Sequence, residues 1–289
     1  WWNMRLNHNM SSLSIYNGYK KNLINNKSAI ERLSTGIKIN SAKDNPNKIG
    51  QSEQMRIQIK SLQAVQRNLQ DGTSMLQTAD GALQEVNNTL ARIKELSVSA
   101  ANGSKSESEK EIIQNEIEEM KKNIDDLANN TEFNGVKLLC DDRVPNNKYP
   151  MYKNIVVGAM QGEQGRIPSF NIRTEILKDE KGNTLKDIDV RTAEGVSSAL
   201  EVVDESIKTV SSIRSRYGAM SNRLETTAEN ISSNEQVFER ADSNLRDSDI
   251  ALEMAELAKT QILNDTSLAL ISQSNNLPQD ALRILERVR

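Results

Sequence analysis

Apolar residues recur at alternating steps of three and four along one stretch of this chain. They run Met55, Gln58, Leu62, Val65, Leu69, Gly72, Leu76, Ala79, Leu83, Val86, Leu90 and Ile93, and only Gln58 and Gly72 break the seam. A 3–4 rhythm held over more than five heptads is the coiled-coil pattern. At ~1.5 Å of rise per residue such a helix spans about 60–70 Å, longer than a globular domain ordinarily uses. The seam therefore predicts an elongated helical molecule.

Composition points the same way. Aromatics make up 3% of the 289 residues, with 13 Gly and 5 Pro. Compact cores lean on aromatics because each buries a large area. A chain poor in them and rich in Ala, Leu, Ile, Gln, Glu, Asn and Lys reads as long amphipathic helices. The net charge is −3, with both signs interspersed and no basic block. That argues against nucleic acid as a partner. No run of ~18 apolar residues marks a membrane span.

The rest of the chain divides around this seam. Met10, Leu13, Tyr16, Leu23, Ile30 and Leu33 stripe a first helix, which Gly36 and the loop "NSAKDNPNK" stop. Asn102-Gly103 ends the long helix. Ser106 and Glu109 form a capping box for the next one, with seam Ile113, Ile117, Met120, Ile124 and Leu127. The short connection predicts an antiparallel hairpin. Asn134-Gly135 is a turn signal, and from Val136 to Val190 Gly and Pro cluster. Short β-like runs at Tyr152–Val157 and Ser169–Ile176, with "DEKGNT" as a turn, predict a small β-rich insert. After Thr192, a candidate N-cap, a second long seam runs Val196, Leu200, Val203, Ile207, Val210, Arg214, Tyr217, Ser221, Leu224, Ala228 and Ile231. It would pair with the first. A last helical region covers about Ser243 to Gln273, and Pro278 opens a short terminal turn or helix.

The layout is thus palindromic, and the two ends must lie side by side. The expected class is mainly α: an elongated antiparallel bundle or coiled coil with a small β-rich insert. The expected domains are 1–45 with 240–289, 46–135 with 192–239, and 136–191. The bundle seam is Leu62, Leu69, Leu76, Leu83, Leu90, Ile93, Ile207, Val210 and Leu224. The terminal helices carry more apolar surface than a two-helix pair can bury. Leu13, Leu23, Ile30, Leu33, Leu257, Ile262, Leu268, Ile271, Leu282 and Leu285 are expected to be covered by other molecules.

Catalytic chemistry is sparse. His8 is the only histidine and Cys140 the only cysteine. This removes Ser-His-Asp triads, Cys-His pairs, zinc clusters and an intrachain disulfide. Cys140 reads as a small, partly buried residue and His8 as a surface residue. Carboxylates three or four residues from lysines are most simply solvated ion pairs. No enzyme activity and no cofactor is expected. The start "MRLNHNMSSLSIYNG" has no secretory h-region. Met4 looks like the natural beginning, and Trp1, Trp2 and Asn3 fit nothing that follows.

Several long stretches resemble bacterial flagellin. They include "MRLNHNM" at 4–10, "AIERLSTGIKINSAKDNP" at 29–46, "RNLQDGTSMLQTADGALQEVNNTLARIKELSVSAANG" at 67–103, "IIQNEIEEMKKNID" at 112–125 and "TEFNGVKLL" at 131–139. "RYGAMSNRLETTAENI" at 216–231 and "RDSDIALEMAELAKTQILNDTSLALISQSNNLPQDAL" at 246–282 complete the set, about two thirds of the chain. "NKIGQSE" at 47–53 departs from the family's apolar run there, as do Ala91 and Lys94 from its usual Gln and Arg.

The resemblance implies a structural subunit that polymerises head to tail into the flagellar filament. The paired termini would line the tube, outside the cell, after type III export without a cleaved signal peptide. It also implies an export chaperone on the C-terminal helices, cap and junction proteins, and a host partner, the Toll-like flagellin receptor. Arg92, Leu96 and Glu116 match the positions that family members offer to that receptor and to subunit stacking. A hook–filament junction protein is the nearest alternative. A cytoplasmic coiled-coil adaptor is a further one. An insert of this size without histidine leaves no room for a metallopeptidase.

Overall fold

The computed structural model describes residues 9–145, 147–160 and 162–287, and over 277–287 the backbone alone save at Arg283. Trp1, Trp2, Asn3 and His8 lie outside the described residues, as do the side chains of Leu282 and Leu285. The order is α1 (Met10–Thr35), α2 (Pro46–Ala100), α3 (Glu107–Asn130), β1 (Glu132–Phe133), β2 (Val136–Lys137), β3 (Met151–Val156), β4 (Gln164–Ser169), α4 (Ala193–Arg246) and α5 (Ile250–Arg287). This is a mainly α chain with a small β insert. It forms two compact units, one of residues 1–57 with 238–289 and one of residues 58–237.

Capping residues set the helix ends. Asn9 caps α1 by accepting from Ser12 N, and Gly36, at φ 70°, closes its other end in the left-handed region. The capping box Ser106–Glu109 opens α3. Thr192 Oγ1 accepts from Gly195 N at 3.1 Å, as an N-cap should. The last chain break differs from the sequence expectation. α4 continues to Arg246, and Asp249 starts α5 by accepting from Ala251 N at 2.9 Å and Leu252 N at 3.3 Å. α5 then runs straight through Pro278, which opens no separate element.

In the second unit, α2 and α4 run antiparallel, tied by Gln63–Glu235 at 2.7 Å, Arg214–Asp80 at 2.8 Å and Lys94–Asp204 at 2.6 Å. Leu62, Leu69, Leu76, Leu83, Leu90 and Ile93 are buried from α2, and Val210 and Leu224 from α4. Burying one such side chain is worth roughly 1.5–3 kcal/mol. Ile207 is only half-buried; Ser206 takes the buried place and returns its hydroxyl proton to Val202 O at 2.7 Å. The break at Gly72 has a direct cause. A Cβ there would stand 2.6 Å from Ile155 Cδ1 and 3.2 Å from Leu224 Cδ1, so the missing side chain admits the insert's hairpin against the helix.

The insert has its own small core of Ile167, Phe170, Ile172, Leu177 and Leu185. β1 and β2 form a hairpin around Asn134-Gly135, both at positive φ as a two-residue turn of this kind requires. β3 pairs antiparallel with β4 from Met151↔Ser169 to Val156↔Gln164. The second strand thus ends where the expected Ser169–Ile176 begins, and residues 170–172 are buried loop instead. Pro168 is accepted in β4 because a two-stranded sheet has only edge strands. Phe170 meets Tyr217 of α4 edge-on, with centroids 5.5 Å apart, and burial pushes the Tyr217 hydroxyl pKa upward. Cys140 is buried and donates its thiol to Asn129 Oδ1 at 3.2 Å.

Candidate functional site

Two surfaces hold the residues that the sequence singled out. The first is the antiparallel pair α1–α5. Three polar rungs fix its register: Asn9 with Ser274, Asn26 with Thr260 at 3.1 Å, and Arg32 with Glu253. The Arg32 guanidinium grips Glu253 twice, at 2.8 and 2.9 Å, and Ser248 Oγ donates to the same carboxylate at 2.9 Å. The Arg32 bonds hold Glu253 below the usual carboxylate range against the opposing push of burial, and they raise Arg32 in turn. Mismatched registers would strand the buried carboxylate, so the rungs specify one alignment.

Away from the rungs the pair is apolar and open. Leu13, Leu23, Ile30, Ile262 and Leu268 are exposed, with Ile262 and Leu268 at 66% and 59%. Leu33, Leu257 and Ile271 are half-buried. Met10, Leu252 and Met254 are exposed as well, and so is Ile24, which lies outside the predicted stripe. Solitary soluble proteins seldom leave so much contiguous apolar surface in water.

The second surface lies on the α2–α3 hairpin. Arg92 reaches Glu95 at 3.1 Å on its own helix and Glu116 at 3.2 Å on α3. The two carboxylates, Glu95 foremost, raise the Arg92 pKa. The fold therefore brings Arg92 and Glu116 together on an exposed face. Leu96 does not join them. It is buried at 7% exposure, because the stripe continues from Ile93 through Leu96 to Ala100 in the same three-four spacing. The resemblance offers this position to another molecule, and in the free chain its own helices cover it instead. The exposed large apolar groups within a turn or two of Arg92 and Glu116 along these helices are Val98, at 54%, and Ile112, at 64%. Val98 stands three residues beyond Glu95 and Ile112 one turn before Glu116, a spacing already legible in the sequence.

Among the described residues no group of three or more His, Cys, Asp or Glu could hold a metal ion, and no helix is long and apolar enough to cross a membrane.

Comparison with known proteins bears on both surfaces. Residues 6–143 match the family description "Bacterial flagellin N-terminal helical region", and residues 200–285 match "Bacterial flagellin C-terminal helical region". Flagellin of Bacillus subtilis (strain 168) is 37% identical over 303 residues, covering 98% of this chain and 100% of that one. Flagellin of Halalkalibacterium halodurans is 36% identical with the same coverage. The flagellar filament 30.7 kDa core protein of Treponema maltophilum is 32% identical, again over 98% and 100%. Among solved structures, a Vibrio parahaemolyticus protein described as flagellar hook-associated shares the fold, with a TM-score of 0.60 at 15% identity over 71% of this chain and 100% of that one.

Proposed function

The chain belongs to the bacterial flagellin family, structural filament proteins and not enzymes, and we propose that its α1–α5 pair is the face through which copies join in the flagellar filament. The observation that carries this reading is the apolar surface left open on both helices while their shared polar rungs are complete. In this reading the terminal segments, 1–45 with 240–289, line the tube. Residues 46–135 with 192–239 form the next layer, and 136–191 the outer insert. Head-to-tail stacking makes an open helical polymer because the contacts are heterologous. The filament lies outside the cell, reached by export without a cleaved signal peptide. An export chaperone would cover the α5 face until assembly, and cap and junction proteins would meet the same ends.

The Arg92–Glu116 face has a second use in this proposal. In the free subunit it is offered to the Toll-like flagellin receptor, and in the tube the next subunit covers it. Its support is the exposed Arg92–Glu95–Glu116 cluster. Near-full-length identity to filament flagellins favours a filament role over a hook–filament junction role.

Electron microscopy of purified protein at neutral pH tests the assembly reading. Long tubes are expected; persistent monomers or dimers would overturn it. A receptor reporter tests the other part. Monomer should signal strongly and intact filament weakly, and unchanged signalling by Arg92→Ala monomer would sink the receptor assignment.

A further inference from the structure

The chain contains three Asn-Gly pairs, at 17–18, 102–103 and 134–135. An asparagine followed by glycine can lose its side-chain amide spontaneously, because glycine leaves the approach to the next backbone nitrogen open. That nitrogen must be free of other bonds, and the backbone must be able to turn toward the side chain. The fold treats the three pairs differently. We infer that Asn102 is the site of spontaneous deamidation in the folded chain, and that Asn17 and Asn134 are protected.

Asn17 lies inside α1, where the Gly18 N–H is committed to the helical ladder. Asn134, at φ 49°, and Gly135, at φ 75°, are held left-handed by the strand pairs Phe133↔Val136 and Glu132↔Lys137. Asn102 lies past the last residue of α2, exposed and outside regular structure. Its neighbours are bonded: Asn102 N donates to Ser99 O at 3.3 Å and Lys105 N to Asn102 O at 3.1 Å. Gly103 N has no backbone acceptor among the described residues, and nothing lies within 4 Å of where a Gly103 Cβ would stand. Ser104 N donates to Asn102 Oδ1 at 3.2 Å. This bond draws the side-chain carbonyl over the 103–104 backbone and polarises it toward attack.

The step balances with water alone. The Gly103 nitrogen gives its proton to hydroxide and forms a bond to Cγ of Asn102. The Cγ–Nδ2 bond breaks, and the nitrogen takes a proton from water and leaves as ammonia, which returns the hydroxide. Water then opens the cyclic imide at one of its two carbonyls, giving aspartate or isoaspartate. The product adds one negative charge to the chain's −3, just past the negative end of the α2 dipole. The isoaspartate form also routes the main chain through the side chain and lengthens the α2–α3 connection.

The test is peptide mapping by mass spectrometry after incubating the full chain, folded, in mildly alkaline buffer. The Asn102 peptide should convert severalfold faster than the peptides holding Asn17 and Asn134. In urea the three rates should converge. Gly103→Ala, which meets no atom in the structure, should slow conversion at Asn102 by about tenfold. Conversion at Asn17 or Asn134 ahead of Asn102 in the folded chain would overturn the assignment. So would no conversion at Asn102 in folded protein that converts in urea, or an unchanged rate in Gly103→Ala.

Discussion

Asn9 Nδ2 lies 2.8 Å from the carbonyl oxygen of Ser274 and 3.0 Å from its hydroxyl. Four residues beyond Ser274 stands Pro278, which has no N–H to offer that carbonyl. Asn9 therefore supplies the missing hydrogen from the partner helix, while its own Oδ1 caps α1.

Asn9→Asp keeps the cap and removes the donor. Hydrogen exchange around Ser274 should accelerate, with a stability loss of about 1–2 kcal/mol. Pro278→Ala restores a helical N–H and should recover most of that loss. Equal loss with and without Pro278→Ala would show that the two are not coupled.

Glu253 sits below the ordinary carboxylate range in the folded chain because of Arg32. Its stabilising effect is complete above its unfolded value of about 4.3 and is lost as pH falls through the folded value. Thermal melting of the wild type should therefore drop on acidification below that point. Glu253→Gln should start lower and fall less steeply. Arg32→Ala leaves an 8%-exposed carboxylate without its cation; with Arg32 itself 31% exposed, a cost of about 2 kcal/mol in urea unfolding is expected.

Gly72→Leu would complete the heptad seam on paper. In the fold the new side chain must displace Ile155 and Leu224, so a loss of about 1–3 kcal/mol in urea unfolding is expected. Trimming Ile155 to Ala in the same chain should return part of it.

Leu96 and Val98 separate packing from contact. Leu96→Ala should cost about 2–4 kcal/mol in folding stability. Val98→Ala should stay within about 0.5 kcal/mol. Receptor signalling should be sensitive to Val98→Asp in a monomer whose circular dichroism is unchanged.

Leu268→Lys on the exposed face of α5 should leave monomer melting unchanged and abolish tubes in electron microscopy. Normal tubes from this variant would remove α5 from the assembly surface.

Much of this was legible in the chain because helices report burial through spacing. The α2 seam, the α3 capping box, the Thr192 cap and the stop at Gly36 all follow from local chemistry. What spacing could not report was the number of neighbours. Leu96 reads as peripheral to a two-helix seam, yet its stripe continues the three-four rhythm into buried positions where α3 runs back along α2. Gly72 reads as a flaw until Ile155, far off in sequence, fills its place. Pro278 reads as a break because the Ser274 carbonyl that it leaves without a helical N–H finds its substitute donor, Asn9, at the other end of the chain. β4 lies earlier than expected for a related reason: loop residues 170–172 are as buried as a strand, and burial alone does not distinguish the two.

The pairing of α1 with α5 also sets a clock. Asn9 waits for a residue made 265 positions later. At ~5–20 residues per second of synthesis, the first helix has no lateral partner for roughly 15–50 s. Throughout that interval its apolar stripe is bare, and the nascent chain is open to whatever holds or misdirects it before its own end arrives.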